Sequence, residues 1–301
     1  MFAILGATGK VGCTTAAALR QTGATVRAVV RDPAKAGPLA AMGCEIAVAD
    51  FHDGAALTKA IAGAAAVQVI VPTNPLSPDA LAETKRSIEA IARAVEAARP
   101  ALVLAISDYG AESSEDTGIT AAFHALEARL RRIPARIILL RSAEHMENWL
   151  RVAKPASRTG MLPSMHHPLT KLFPTVSAFD VGAVAADLLL TAEEGDAQLR
   201  IVHVEGPRRY TPHEVAADMG AVLGREVKAQ ELPRAEWAAV LRQAGISESY
   251  IALVVRLYDV HNQGEIDVEP GVGETRRGPT TLAGALKSLS QSVQASGRPN
   301  L

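Results

Sequence analysis

Phe2-Ala3-Ile4-Leu5-Gly6-Ala7-Thr8-Gly9-Lys10-Val11-Gly12 is the stretch that decides the fold. A short apolar run enters a glycine-rich turn. The turn leads into Lys10–Thr22, which reads as a helix closed by Gly23. Gly6 permits the tight turn, Gly9 leaves room for a ligand close to the backbone, and Gly12 allows close packing of helix on strand. Thr8, Lys10 and Val11 complete the cradle. The free N–H groups of the helix N-terminus carry partial positive charge, which suits a pyrophosphate. A tight turn without a ligand is the alternative. The strand–turn–helix context at the head of a βαβ series favours the dinucleotide reading.

Working outward, the pattern repeats. Thr25–Val30, Cys44–Ala49, Ala66–Val71, Ala101–Ile106 and Ala135–Leu140 read as strands. Between them lie helices opened by Asp32-Pro33, by Asp53, by Ser77-Pro78 (running to about Arg99) and at Ile119–Arg132. The strands are nearly continuous apolar runs, as expected of strands buried on both faces. The fold class is therefore α/β: a Rossmann-type, doubly wound parallel sheet.

The pattern changes after Trp149. Lys154–His167 is polar and broken by Pro155, Gly160 and Pro163, so it reads as a long loop over the cleft. A helix is expected after Asp180 and a late strand at Arg200–Val204. Thr211-Pro212-His213-Glu214 is a capping box. Further helices are expected at Thr211–Leu223, Arg234–Gln243 and Ser247–His261, with a frayed tail after Leu289. The expected organisation is a dinucleotide-binding domain of residues 1–149 plus about 174–205. A smaller, mainly helical substrate domain takes about 150–173 plus 206–301.

Charge is balanced, with 31 Lys+Arg against 32 Asp+Glu. Without a basic excess or stripe, direct nucleic-acid binding is not expected. Cys13 and Cys44 have no metal-site or C-x-x-C spacing. No basic n-region precedes the first strand, and no window holds the roughly 18 apolar residues of a membrane span. The expected location is the cytoplasm.

The end of the second strand selects the cofactor. An acidic residue there binds the ribose 2′-hydroxyl of NAD, whereas Arg accommodates a 2′-phosphate. Here Arg31 stands at that position with Lys35 beyond it. NADP(H) is therefore expected over NAD(H), with a solvated surface charge as the alternative reading of Arg31. Asp50 and Phe51, after the third strand, lie either beside the adenine or in a helix-capping loop. Val71, Pro72 and Thr73, closing the fourth strand, complete the expected cofactor set.

These marks together resemble the NmrA-like family of atypical short-chain dehydrogenase/reductases. So do Leu140-Arg141, Met146-Glu147-Asn148, Asp180-Val181-Gly182, Glu205-Gly206-Pro207 and the Thr211 capping box. The likeness runs from Met1 to about Leu286. Thr275-Arg276-Arg277-Gly278-Pro279 departs from the Thr-Gly-Arg-x-Pro of the family. The resemblance implies an NADP(H)-preferring Rossmann domain, a small C-terminal domain and a cleft between them. The family includes quinone reductases and proteins that only sense the cofactor's redox state, so membership leaves activity open.

The Tyr-x-x-x-Lys pair of the wider superfamily is missing. Four residues after Tyr109, Tyr210, Tyr250 and Tyr258 stand Ser113, Glu214, Val254 and Asn262. Ser107, Tyr109 and His124 (with Glu127) are the candidate substitutes: a hydrogen bond from Ser107, and a proton from Tyr109 or His124. Each has a structural alternative: turn residue, packed ring, packing histidine. His166-His167 lacks metal partners and reads as a loop pair. The expected function is reduction by NADPH of a small-molecule acceptor in the cleft, a quinone or an activated carbonyl or olefin. The alternative is a non-catalytic NADP(H)-binding redox sensor that signals to a protein partner.

Overall fold

The computed structural model describes residues 1–192 and 197–288. The tail after Leu289, expected to fray, lies outside the described residues. The first half alternates strand and helix as β1 (Phe2–Leu5), α1 (Lys10–Gln21), β2 (Val26–Val30), α2 (Gly37–Ala41), β3 (Glu45–Val48) and α3 (Gly54–Ile61). It continues with β4 (Ala66–Val69), α4 (Ala80–Ala98), β5 (Leu102–Asp108), α5 (Thr120–Leu130) and β6 (Arg136–Ser142). Then come the short β7 (Glu144–His145), α6 (Ala153–Thr159), β8 (Met161–Ser164), β9 (Thr175–Val176), α7 (Ala178–Thr191) and β10 (Leu199–Glu205). The chain closes with α8 (Pro212–Leu223), β11 (Lys228–Glu231), α9 (Trp237–Gln243), α10 (Glu248–Gln263) and β12 (Glu274–Arg277). Residues 282–288 are helical.

Eight strands form one sheet in the order β12-β10-β6-β5-β4-β1-β2-β3. Every pairing in it is parallel. Alternate residues feed two cores. Ile4, Ala28, Leu104, Ile138 and Val202 face α1 and α7, where Leu19, Val181 and Leu188 meet them. Ala3, Leu5, Val67, Val103 and Ile137 face α3, α4 and α5, through Leu57, Ile91 and Leu126. Burial on both faces explains the lack of polar alternation along the strands. The strand order reverses between β1 and β4, so the crevice for a ligand opens above the C-terminal edge there.

Several family marks prove to be joints. Gly182 brings α7 against α1: a Cβ there would sit 2.6 Å from the Val11 carbonyl oxygen. The Thr15 hydroxyl donates to the Gly182 carbonyl at 3.1 Å. Glu147 accepts from Ser177 Oγ and the Ala178 N–H, fixing the start of α7. Asp180 accepts from the Thr280 N–H and hydroxyl, tying down the segment after β12.

Some expectations need correction. Lys154–His167 is not a long loop: it folds as α6 and β8. Gly160, at φ 73°, ends α6, and β8 pairs with β11. The helix expected after Asp180 starts earlier, capped by Ser177. The long helix opens at Ala80 with Asp79 as its cap, not at Ser77-Pro78. β12 was not foreseen as a strand, yet it extends the main sheet beside β10. A third core, around Met146, Leu162, Phe173, Tyr210, Val215 and Leu286, lies apart from the sheet.

Candidate active site

The glycine turn has the geometry its sequence requires. Gly6 has φ 65°, and the Gly9 N–H donates to the Gly6 carbonyl at 3.0 Å. A Cβ on Gly12 would lie 2.6 Å from the Gly6 carbonyl oxygen, so only glycine lets the helix start this close to the strand. Gly9 caps α1 without a side-chain hydrogen bond, leaving the first N–H groups open. Thr8, Gly9 and Lys10 are exposed and Val11 is buried.

Beside the turn, Arg31, Asp50, Phe51, Pro72 and Thr73 line a depression of about 250 Å³. Asp32 accepts from the Ala34 N–H at 3.0 Å, so it serves the local turn. Arg31 and Lys35 are exposed and form no ion pair among the described residues. Asp50 Oδ1 accepts from the His52 N–H at 2.8 Å, which commits that oxygen to its own loop.

Thr73 also borders a cleft of about 340 Å³ running over β4, β5 and β6, with Val71 and Val11 in its wall. The α10 face carrying Tyr250, Val254, Leu257 and Tyr258 forms the opposite side. The Thr73 and Tyr250 hydroxyls, 3.3 Å apart, join the two walls.

The structure brings Ser107 and Tyr109 to this cleft but leaves His124 outside its lining. Ser107 Oγ is buried and donates to Glu127 Oε1 at 2.7 Å. Glu127 in turn holds Arg141 through two bonds of 2.8 Å, and Arg141 reaches on to Glu269 and Glu112. Burial alone would raise the Glu127 carboxyl, but Arg141 and Ser107 hold it below the usual range. The Ser107 proton is therefore committed to this network. Tyr109 is buried and its hydroxyl has no hydrogen-bond partner among the described residues; burial pushes the phenol far above its ordinary range. His124 Nδ1 sits 2.9 Å from the Ala111 carbonyl oxygen.

Other titratable groups in the cleft escaped the sequence reading. Asp108, between Ser107 and Tyr109, accepts from Thr120 Oγ1 at 3.1 Å. Glu144 Oε2 lies 2.9 Å from His166 Nε2, and Tyr258 donates to Glu144 Oε1 at 3.3 Å. Burial would raise Glu144, but the His166 ring beside it keeps the carboxyl low. His166 stacks on Phe173 with ring centres 4.1 Å apart. Burial drives His261, edge-on to His166, down to about 3. It also lowers His145, whose Nε2 is 3.1 Å from Ser142 Oγ. For Asp108 the signal was its place between Ser107 and Tyr109; for His166 it was the polar run, which reads equally well as a loop.

Fold and cleft together define an open α/β protein of Rossmann type with a cleft over the C-terminal edge of its sheet. A family model described as the NmrA-like family matches residues 1–284, and the chain belongs to that family. Quinone oxidoreductase 2 of Escherichia coli is 28% identical over 82% of this chain and 83% of its own length. A (4-alkanoyl-5-oxo-2,5-dihydrofuran-3-yl)methyl phosphate reductase of Streptomyces griseus is 30% identical over 77% of each. The structure of the E. coli enzyme complexed with NADPH covers 96% of this chain and 100% of that one. Its TM-score is 0.78 at 25% identity. Among the described residues no helix is long and apolar enough to cross a membrane.

Proposed function

We propose that the chain is an NADPH-dependent oxidoreductase that reduces a quinone, or a similarly activated carbonyl or olefin, in the cleft beside the glycine turn. The observation that carries this is Arg31, just past the end of β2 and without an ion pair among the described residues, in a depression that meets the cleft at Thr73, with the exposed Lys35 in the turn that follows. In this reading the open N–H groups of α1 receive the pyrophosphate, Arg31 and Lys35 the 2′-phosphate, and Asp50 and Phe51 flank the adenine. Val71 to Thr73 carry the cofactor across the edge of β4. NADPH, when bound, supplies a hydride. The chain's own part is to align an acceptor against it between Ser107–Tyr109 and the α10 wall. The aromatic side chains of Tyr250 and Tyr258 in that wall, with Phe123 of α5, suit a flat acceptor. A quinone oxidoreductase and a reductase of an unsaturated lactone among the relatives support the same class.

The engaged Ser107, the sealed Tyr109 hydroxyl and the displaced His124 are also what a cofactor sensor without catalysis would show. NADPH oxidation against a panel of quinones and activated carbonyls separates the two, with Arg31→Asp as the control. Losing a charge-assisted contact costs about 1.5–3 kcal/mol, so NADPH affinity should fall roughly 10- to 100-fold in the variant. NADH affinity should be little changed. Tight NADPH binding without turnover on any acceptor would reject the reductase in favour of the sensor.

A further inference from the structure

We propose that Asp108 is the proton donor of the cleft, delivering from its carboxyl the proton that completes reduction of the acceptor's oxygen. This rests on the oxidoreductase reading above.

Asp108 is the last residue of β5, paired with Ser142 of β6. It is half-buried and lines the cleft, so an acceptor reaches it while bulk water is largely kept away. Its position is at the C-terminal edge, two strands from the glycine turn in the order β5-β4-β1. That is where the reacting end of a dinucleotide crossing from Arg31 falls. The three groups first expected to act there are committed, sealed or displaced. Asp108 has only the Thr120 hydroxyl as a side-chain partner and no ion pair among the described residues.

Its surroundings favour the neutral acid. Glu144 approaches from β7 and Glu112 from the loop after β5, both acidic. Tyr109 is its neighbour on the chain, and His145, Arg151, His166, Tyr250, Tyr258 and His261 complete the titratable and charged lining of the cleft. Burial pushes the Asp108 carboxyl up to about 7. The Thr120 hydroxyl and the Tyr109 backbone N–H pull it back, and Glu144 and Glu112 add to the rise. Glu144, in the same cleft, is held low beside His166. Two carboxyls driven apart in this way divide into an acid and an anion.

The step balances. A hydride from the reduced nicotinamide adds to the acceptor with its electron pair. The carbonyl π pair withdraws onto oxygen, and that oxygen takes the Asp108 proton as the Asp108 O–H bond breaks. The nicotinamide is oxidised and the acceptor reduced by two electrons. Asp108, left as carboxylate, regains a proton from water at the cleft mouth.

The test compares wild type, Asp108→Asn and Thr120→Val. In wild type kcat should be level in acid and fall as pH rises through about 7. In Asp108→Asn that limb should vanish and kcat should drop about 10²- to 10⁴-fold in acid, with NADPH affinity unchanged. Thr120→Val keeps the acid but removes the bond that lowers its pKa, so the limb should move to higher pH. It decides the matter if Asp108→Asn fails to fold. Infrared difference spectra of the free protein give a readout that needs neither cofactor nor acceptor. The protonated-carboxyl band absent from Asp108→Asn should titrate near the same pH as the limb. A limb that survives in Asp108→Asn, a limb unmoved in Thr120→Val, or a band that disappears in the ordinary carboxylate range overturns the proposal. A band that titrates as expected with no turnover on any acceptor overturns the oxidoreductase reading, and the donor role falls with it.

Discussion

Tyr109 stands edge-on to His203, ring centres 5.6 Å apart, with its hydroxyl buried and without a hydrogen-bond partner among the described residues. A buried hydroxyl without a hydrogen bond costs free energy, on the order of 1–3 kcal/mol. Tyr109→Phe removes the hydroxyl and keeps the ring. We therefore expect it to unfold at equal or higher urea concentration than wild type and to keep kcat. A large fall in kcat with stability intact would return Tyr109 to the chemistry. The stretch Ser107-Asp108-Tyr109 was legible as a cleft segment because it ends a strand at the ligand edge of the sheet. Which of the three carries a usable proton was not legible. That depends on Glu127, twenty residues on, for Ser107, and for Asp108 on its burial in the cleft, to which Glu144 adds. Such partners leave no periodic trace in the chain.

Helix α1 serves two purposes: its N-terminus presents the phosphate cradle and its flank packs on α7. Gly182 sits at that crossing, its would-be Cβ 2.6 Å from the Val11 carbonyl oxygen and 2.7 Å from Thr14 Cβ. Ala in place of Gly inside a helix normally gains about 1 kcal/mol. Here a backbone oxygen cannot yield, and overpacking of this kind costs about 1–3 kcal/mol. Gly182→Ala should therefore be destabilised in urea and should bind NADPH more weakly, because α1 must shift. Gly54→Ala, where the nearest atom is 4.0 Å away, is the control and should be neutral or stabilising. Equal stability of the two variants would mean that the α1–α7 crossing adapts. Elements with strong local signals were legible: the glycine turn, the apolar strands and the Thr211 capping box, whose reciprocal bonds are both formed. β12 was not, since Glu274-Thr275-Arg276-Arg277 is an edge strand of mostly charged residues. It is held by pairing with β10 and by ion pairs such as Arg277–Glu205 at 2.7 Å. The segment from Lys154 to His167 looked like a loop because Pro155, Gly160 and Pro163 break any local period, while the pairing that makes β8 a strand is with β11, more than sixty residues on.

Across the whole molecule, the sheet was legible because its strands follow one another with helices between, whereas the cleft draws on segments from Val11 to Ile266. The same gathering of remote groups makes stability respond to pH in two opposing ways. Asp108 ordinarily ionises at 3.8 but at about 7 in the fold. Between these values the folded chain keeps a proton that the unfolded chain has released, so this group lowers stability as pH rises through the interval. His261 ordinarily titrates at 6.5 but at about 3 in the fold. Between those values the unfolded chain binds a proton that the folded chain refuses, so this group lowers stability as pH falls. The two slopes oppose one another over most of the acid range, and variants should separate them. Relative to wild type, Asp108→Asn should gain stability from acid up to about neutral pH and hold that gain above it. His261→Phe, which keeps a ring against His166, should gain relative to wild type as pH falls from about neutral towards acid. Urea unfolding at an acid, a weakly acid and an alkaline pH measures both differences. A stability gap that stays constant with pH for either variant would show that the residue titrates alike in the folded and unfolded chains. The burial of that group in the cleft would then not govern its protonation.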